Sequence, residues 1–184
     1  MKRWVAFFSM SGSEIYNISQ SLGRFPDAVV TNRTHIEGVN QDLLDVLSPG
    51  QLIMIPARPK VEEYDTAIRE ASVKPTETLV TLHGYLRIIP ASICDVYEII
   101  NCHPGQIKKY PELRGKDPQR RAINHATIGT VLHRVTAGVD EGPILTSASC
   151  YNKWKTEEGV TEKLKEMSAA LWIDLLRKQY SIGV

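Results

Sequence analysis

The chain has 184 residues, of which 42% are apolar and 23% charged, which excludes a disordered or fibrous protein. Lys and Arg number 22 against 21 acidic residues, so the net charge is +1 and a broadly basic nucleic-acid surface is not indicated. No apolar run approaches the roughly 20 residues of a membrane span. The N-terminal stretch Trp4-Val5-Ala6-Phe7-Phe8 breaks off at Ser9 and reads as a first strand rather than a signal peptide. Cys94, Cys102 and Cys150 are an odd count without a C-x-x-C pair. That pattern predicts reduced thiols and a cytoplasmic protein. One domain over residues 1–184 is expected, as a monomer or homodimer, with neither membrane nor nucleic acid as a partner.

Taken in chain order, Val5–Phe8 is the first predicted strand. Ile15, Ile18 and Leu22 then fall at helical spacing and predict a helix over Glu14–Leu22. The segment between them, Ser9-Met10-Ser11-Gly12-Ser13-Glu14, admits two readings. Ser11 and Glu14 have the spacing of a helix capping box. Free amides at a helix start can also hold a phosphate, although a carboxylate at position 14 would repel it. Further strands are predicted at Asp27–Thr31, Gln51–Ile55, Thr78–Leu82 and Tyr97–Asn101. Helices are predicted at Asp42–Leu47 and Val61–Ser72. The strands are short and rich in Val, Ile and Leu, as strands buried on both faces should be. Alternation of strands and helices predicts an α/β fold with a doubly wound, mostly parallel sheet.

The second half changes character. Asn101–Arg121 reads as a long loop carrying Lys108, Lys109, Arg114, Lys116, Arg120 and Arg121 against Glu112 and Asp117. Such a loop is either a solvated segment or an anion site. Gly129–Val135 and Pro143–Ser149 predict two strands joined by a turn at Ala137–Gly142, an antiparallel edge of the sheet. Thr156–Lys178 predicts a C-terminal helix whose apolar stripe is Val160, Leu164, Met167, Leu171 and Leu175.

In an open parallel sheet, ligands bind beyond the carboxyl ends of the strands. Asn101 and His103 sit two apart at such an end and can face one cleft. An Asn amide can donate to a carbonyl oxygen as charge develops on it, and a His can exchange a proton near neutral pH. A plain loop-capping role is the alternative for both residues. Asp140, by itself an ordinary turn former, completes an amide, imidazole and carboxylate set suited to adding an amine to a carbonyl. Cys94, Cys102, His103 and Cys150 match no common zinc spacing, so no metal is expected.

Asn101-Cys102-His103-Pro104 resembles the N-x-H-P of the folate-dependent formyltransferases. Gly129-Thr130-Val131-Leu132-His133 followed by Val139-Asp140-Glu141-Gly142-Pro143 resembles their second signature. His83-Gly84-Tyr85-Leu86-Arg87-Ile88-Ile89-Pro90 is similar to the stretch that lines their folate pocket. The likeness runs from about residue 3 to about residue 150.

The resemblance implies a Rossmann-like formyltransferase domain that transfers a formyl group from 10-formyltetrahydrofolate to an amine without a metal. It implies Asn101, His103 and Asp140 as catalytic residues. It also implies a folate site at Leu86, Arg87, Ile88 and Ile89 with Ala137, Gly138, Val139 and Asp140. Ser11, Gly12, Ser13, Glu14 and Lys109 would meet the acceptor. The implied acceptor is small and phosphorylated, first of all glycinamide ribonucleotide, which would place the protein in purine biosynthesis. The resembled loop carries Gly where Met10 stands and Asn where Glu14 stands. A nucleotide-linked amino sugar is the alternative acceptor. Hydrolysis of 10-formyltetrahydrofolate is the alternative reaction, and a folate-binding protein without turnover is the reading outside enzymes.

Overall fold

The computed structural model describes residues 1–71 and 74–182. Seven strands form one sheet: β1 (Arg3–Phe8), β2 (Ala28–Thr31), β3 (Leu52–Met54), β4 (Thr78–Leu82), β5 (Glu98–His103), β6 (Thr127–Arg134) and β7 (Ile144–Tyr151). Their order is β3-β2-β1-β4-β5-β6-β7. The first five are mutually parallel, and β6 and β7 each run antiparallel to the strand before. The doubly wound sheet with an antiparallel edge is therefore present. The helices are α1 (Ser13–Leu22), α2 (Gln41–Val46), α3 (Val61–Ala71), α4 (Ala91–Cys94), α5 (Pro118–Ala122) and α6 (Glu157–Tyr180). Ser72, at the end of the predicted third helix, lies outside the described residues. Among the described residues, no helix is long and apolar enough to cross a membrane.

Alternating side chains of β1 explain the two-sided burial. Trp4, Ala6 and Phe8 pack with Ile15, Ile18 and Leu22 of α1 and with Leu171, Trp172 and Leu176 of α6. Val5 and Phe7 point the other way, onto Tyr64, Ala67 and Ile68 of α3 and onto Tyr85, Ile89 and Ile93. A third cluster lies under α5 and the start of α6, around Ile107, Leu113, Ile128 and Leu164.

Three expectations are corrected. The predicted capping box does not form: Gly12 is the N-cap, at φ 76°, and no side chain caps the helix. The segment 101–121 is not one loop. β5 continues through His103, a 3-10 turn spans Pro111–Leu113, and Pro118 opens α5. In α6 the buried face includes Trp172 and Leu176, while Leu175 is only half-buried. The reason is that α6 crosses two clusters. Its first half packs in the third cluster and its second half against α1 and β1, so the buried face rotates along the helix.

Gly129 in β6 is set by close approach of backbone. A Cβ there would lie 2.3 Å from the Ala148 carbonyl oxygen and 2.6 Å from Gln106 Cγ. Gly129→Ala is expected to destabilise by roughly 1–3 kcal/mol, which lowers Tm by about 2 °C or more in a domain of this size. A calorimetric scan checks it, and an unchanged Tm would contradict the packing.

Candidate active site

The strand order reverses between β1 and β4, since β2 and β3 lie on one side of β1 and β4 and β5 on the other. Loops after β1, β4 and β5 part at this point and leave a crevice above the carboxyl ends of the strands. Asn101 and His103 stand at the end of β5, on one face. In the antiparallel pairing His133 of β6 lies directly opposite Asn101. Cross-strand neighbours in such a pair bring their side chains together. His133 is therefore a site residue, although its strand position had not marked it as one.

Asp140 arrives from the turn after β6. Its backbone is left-handed, at φ 54°, a conformation that Asp tolerates better than most residues. The Gly115 amide donates to its Oδ2 at 2.9 Å, and Arg114 Nε donates to its carbonyl at 3.2 Å. The loop after β5 thus fixes the turn after β6. The carboxylate sits between two imidazoles: Oδ2 is 3.1 Å from His103 Nδ1, and Oδ1 is 3.5 Å from His133 Nε2. Burial raises the pKa of Asp140, but the hydrogen bonds from the two imidazoles, the His103 charge and the Gly115 amide outweigh it. They hold the carboxyl far below the usual carboxylate range.

The hydrogen bonds assign a proton on one of the two rings. His133 Nδ1 lies 2.9 Å from the Arg134 carbonyl, which only accepts, so Nδ1 carries the proton. Its Nε2 lies 3.3 Å from Asn101 Nδ2 and 3.5 Å from Asp140 Oδ1. His103 is different. Its Nε2 lies 2.8 Å from the Leu113 carbonyl and its Nδ1 faces Asp140. Both neighbours are acceptors. The site is therefore a buried imidazole–carboxylate pair with an amide donor and a second imidazole beside it.

The other expected residues are placed as follows. Leu86 and Ile88 are exposed and Ile89 is buried. The Leu86 amide is already used, donating to Ser9 Oγ at 2.8 Å, and the Arg87 side chain reaches the Ala57 carbonyl through Nε, also at 2.8 Å. Val139 is exposed on the turn that also carries Ala137 and Gly138. Ser11 and Ser13 bond each other through their hydroxyls. Lys109 donates to the Thr127 hydroxyl at 3.0 Å. Arg121 is not an open anion donor: it is bonded to the carbonyls of Glu112, Leu113, Arg114 and Lys116, and so stitches the loop together.

Glu14 turns inward. Its carboxylate accepts from His83 Nδ1 at 3.0 Å and from Ser168 Oγ of α6 at 2.5 Å. Thr81 Oγ1 accepts from Trp4 Nε1 and lies 2.9 Å from His83 Nε2. Burial pulls the Glu14 pKa up, but His83 and Ser168 together hold it below the ordinary value. A negative charge is thus fixed at the start of α1. Cys102 touches Ser168 and Thr130 behind the site. Burial and the Glu14 charge push its thiol up to about 12. Alkylation with iodoacetamide at pH 8 should spare Cys102 in the folded protein, as peptide mass spectrometry would read. Labelling at the rate of the unfolded chain would contradict this.

The family model described as formyl transferase matches residues 8–176, and the chain belongs to that family. A dTDP-4-amino-4,6-dideoxyglucose formyltransferase of Mycobacterium tuberculosis is 28% identical over 156 residues, which cover 79% of this chain and 63% of that protein. The chain thus spans less than two thirds of that relative. A phosphoribosylglycinamide formyltransferase of Bacillus subtilis is 25% identical over 154 residues, 79% of this chain and 77% of its own length. In fold, the chain is similar to a phosphoribosylglycinamide formyltransferase of Campylobacter jejuni, with a TM-score of 0.78 at 20% identity. That match covers 96% of this chain and 97% of the other.

Proposed function

We propose that the protein transfers a formyl group from 10-formyltetrahydrofolate to a primary amine of a small phosphorylated acceptor. The observation that carries this is the cluster of Asn101 and His103 on β5, His133 on β6 and Asp140 in the turn that follows. The neutral amine attacks the formyl carbon and a new C–N bond forms. The carbonyl electron pair moves to oxygen, where the Asn101 amide and the His103 ring stabilise it. The intermediate collapses, the bond from carbon to N10 of the folate breaks, and the electron pair leaves with N10. One proton is lost from the attacking amine and one is gained at N10, so the balance is neutral. A carboxylate as acidic as Asp140 is a weak base. Its work is to orient the His103 ring and to keep it in place.

The folate is placed along Leu86–Ile89 and the turn Ala137–Asp140, whose exposed Leu86, Ile88 and Val139 offer apolar surface to a pterin. Glycinamide ribonucleotide is the first acceptor to test, in line with the Bacillus subtilis relative. Glu14 favours a second reading, a nucleotide-linked amino sugar, because a fixed carboxylate at the start of α1 opposes a phosphate there. Mass spectrometry of a panel of both acceptor types, incubated with protein and 10-formyltetrahydrofolate, separates the two. One formyl group gained by a single member identifies the acceptor. Formate release without acceptor would replace transfer by hydrolysis.

A further inference from the structure

We propose that the outer edge of β7 is an interface, at which the strand pairs antiparallel with β7 of a second copy of this chain. The pairing does not depend on the formyl-transfer reading above.

The sheet has two edges, β3 and β7. β3 is three residues long and Pro56 follows soon after it. A short strand beside a proline offers little to another chain. β7 is eight residues long, Ile144–Tyr151, and contains neither a charged residue nor a proline. The register shift in its pairing with β6 falls between Leu132 and His133, close to the start of β7, and leaves Thr146–Tyr151 regular. Natural edges are blunted by shortness, charge, proline or a bulge. β7 has only the bulge, at one end.

The alternation of the ladder decides which backbone groups face outward. The Val135 amide donates to the Ile99 carbonyl, so by the two-residue period the odd-numbered residues of β6 bond β5. The Asn152 amide donates to the Ala126 carbonyl, so the even-numbered residues of β7 bond β6. The amides and carbonyls of Ser147, Ser149 and Tyr151 therefore point away from the sheet. Among the described residues, no hydrogen bond outside the ladder reaches them. All three residues are exposed, Tyr151 at 84%.

The sequence of this edge suits its own copy. A two-fold antiparallel pair centred on Ala148 sets Ser147 opposite Ser149 of the second copy, and Ser149 opposite Ser147. The small side chains from Thr146 to Ser149 let the two backbones reach strand spacing. The same pairing brings the end of β7 that follows Glu141 to the end that leads into Lys153 and Lys155 of the second copy. Among the described residues, none of these three charges enters an ion pair. Opposite charges thus meet at both ends of the pair. A centre at Ser149 would instead set Glu141 against Glu157. Charge therefore selects both the partner and the register.

The test is sedimentation equilibrium of the full chain over a micromolar concentration series, with hydrogen exchange of β7 read by mass spectrometry. The chain should dimerise, and exchange in β7 should slow as the dimer fills. Ser149→Pro removes an outward N–H that bonds nothing in a single copy, and Ser147→Lys adds a charge to the edge. Each should weaken dimerisation by about tenfold or more. The Tm of the dilute protein should hold in Ser147→Lys, which carries the test alone if Ser149→Pro lowers stability. Glu141→Lys should weaken the dimer, and adding Lys155→Glu should recover it. A monomer at every concentration would overturn the pairing and leave the edge to a different partner. A dimer of unchanged affinity in Ser147→Lys would place the interface elsewhere, and indifference to the charge exchange would overturn the register. None of these readouts needs turnover.

Discussion

Asp140→Asn is expected to lower the rate of formyl transfer by about 10²–10⁴-fold, the range for a lost acid–base partner. An amide at position 140 still fits between the rings, but it no longer offers His103 Nδ1 a carboxylate. Folate affinity should change little. The reason is the geometry: Oδ2 faces His103 Nδ1 at 3.1 Å and accepts from the Gly115 amide at 2.9 Å, so the carboxylate serves the protein rather than the folate. The variant should also lose stability. The carboxyl of Asp140 is held below its ordinary value in the folded state. Its contribution is therefore present above the unfolded carboxylate pKa of about 4 and fades only as pH falls toward the folded value. Thermal melts of both proteins between pH 4 and 7 (on the scale of carboxylate titration) should show the gap persisting across that window. Steady-state rates near the wild-type value would remove Asp140 from the mechanism.

Asn101→Ala should cost about 10²–10³-fold in kcat, the usual effect of deleting one oxyanion donor. The loss should fall on kcat and not on KM, because the donor acts on charge that develops only in the transition state. Removing Asn101 also takes away a partner of His133 Nε2. His133→Asn therefore serves as the companion variant: it should cost less than Asn101→Ala, since its link to the substrate runs through Asn101. A loss confined to KM in Asn101→Ala would mean that the amide binds substrate in its ground state and does not stabilise the oxyanion.

The sheet was legible because its evidence is local. β1, β2 and β4 are short runs of buried apolar residues, and α1 carries its core contacts at regular spacing. The pair Asn101 and His103 followed from the two-residue period of a strand. His133 required a further step. Its position opposite Asn101 depends on the register between β5 and β6, which the sequence does not display. Pro118 was the available signal for α5, since proline favours a first helical turn. α4 is a single turn and has no periodicity to read. Glu14 shows the limit most clearly. Its spacing from Ser11 suited a capping box, but its partners are His83 and Ser168, 69 and 154 residues away. A buried imidazole and a hydroxyl on the last helix outcompete the local cap, and only the assembled fold brings them there. In the basic loop, the donors of Arg121 are likewise taken up by backbone that only the fold brings together.

The most direct measurement follows the carbon itself. 10-Formyltetrahydrofolate labelled with ¹³C in the formyl group is incubated with the protein and the acceptor panel, and the products are read by ¹³C NMR. Formyl transfer predicts that the label appears as an N-formyl amide on the acceptor, in step with tetrahydrofolate, and that Asp140→Asn slows its appearance. Label found only as formate, or remaining on the folate with every amine, would contradict the account.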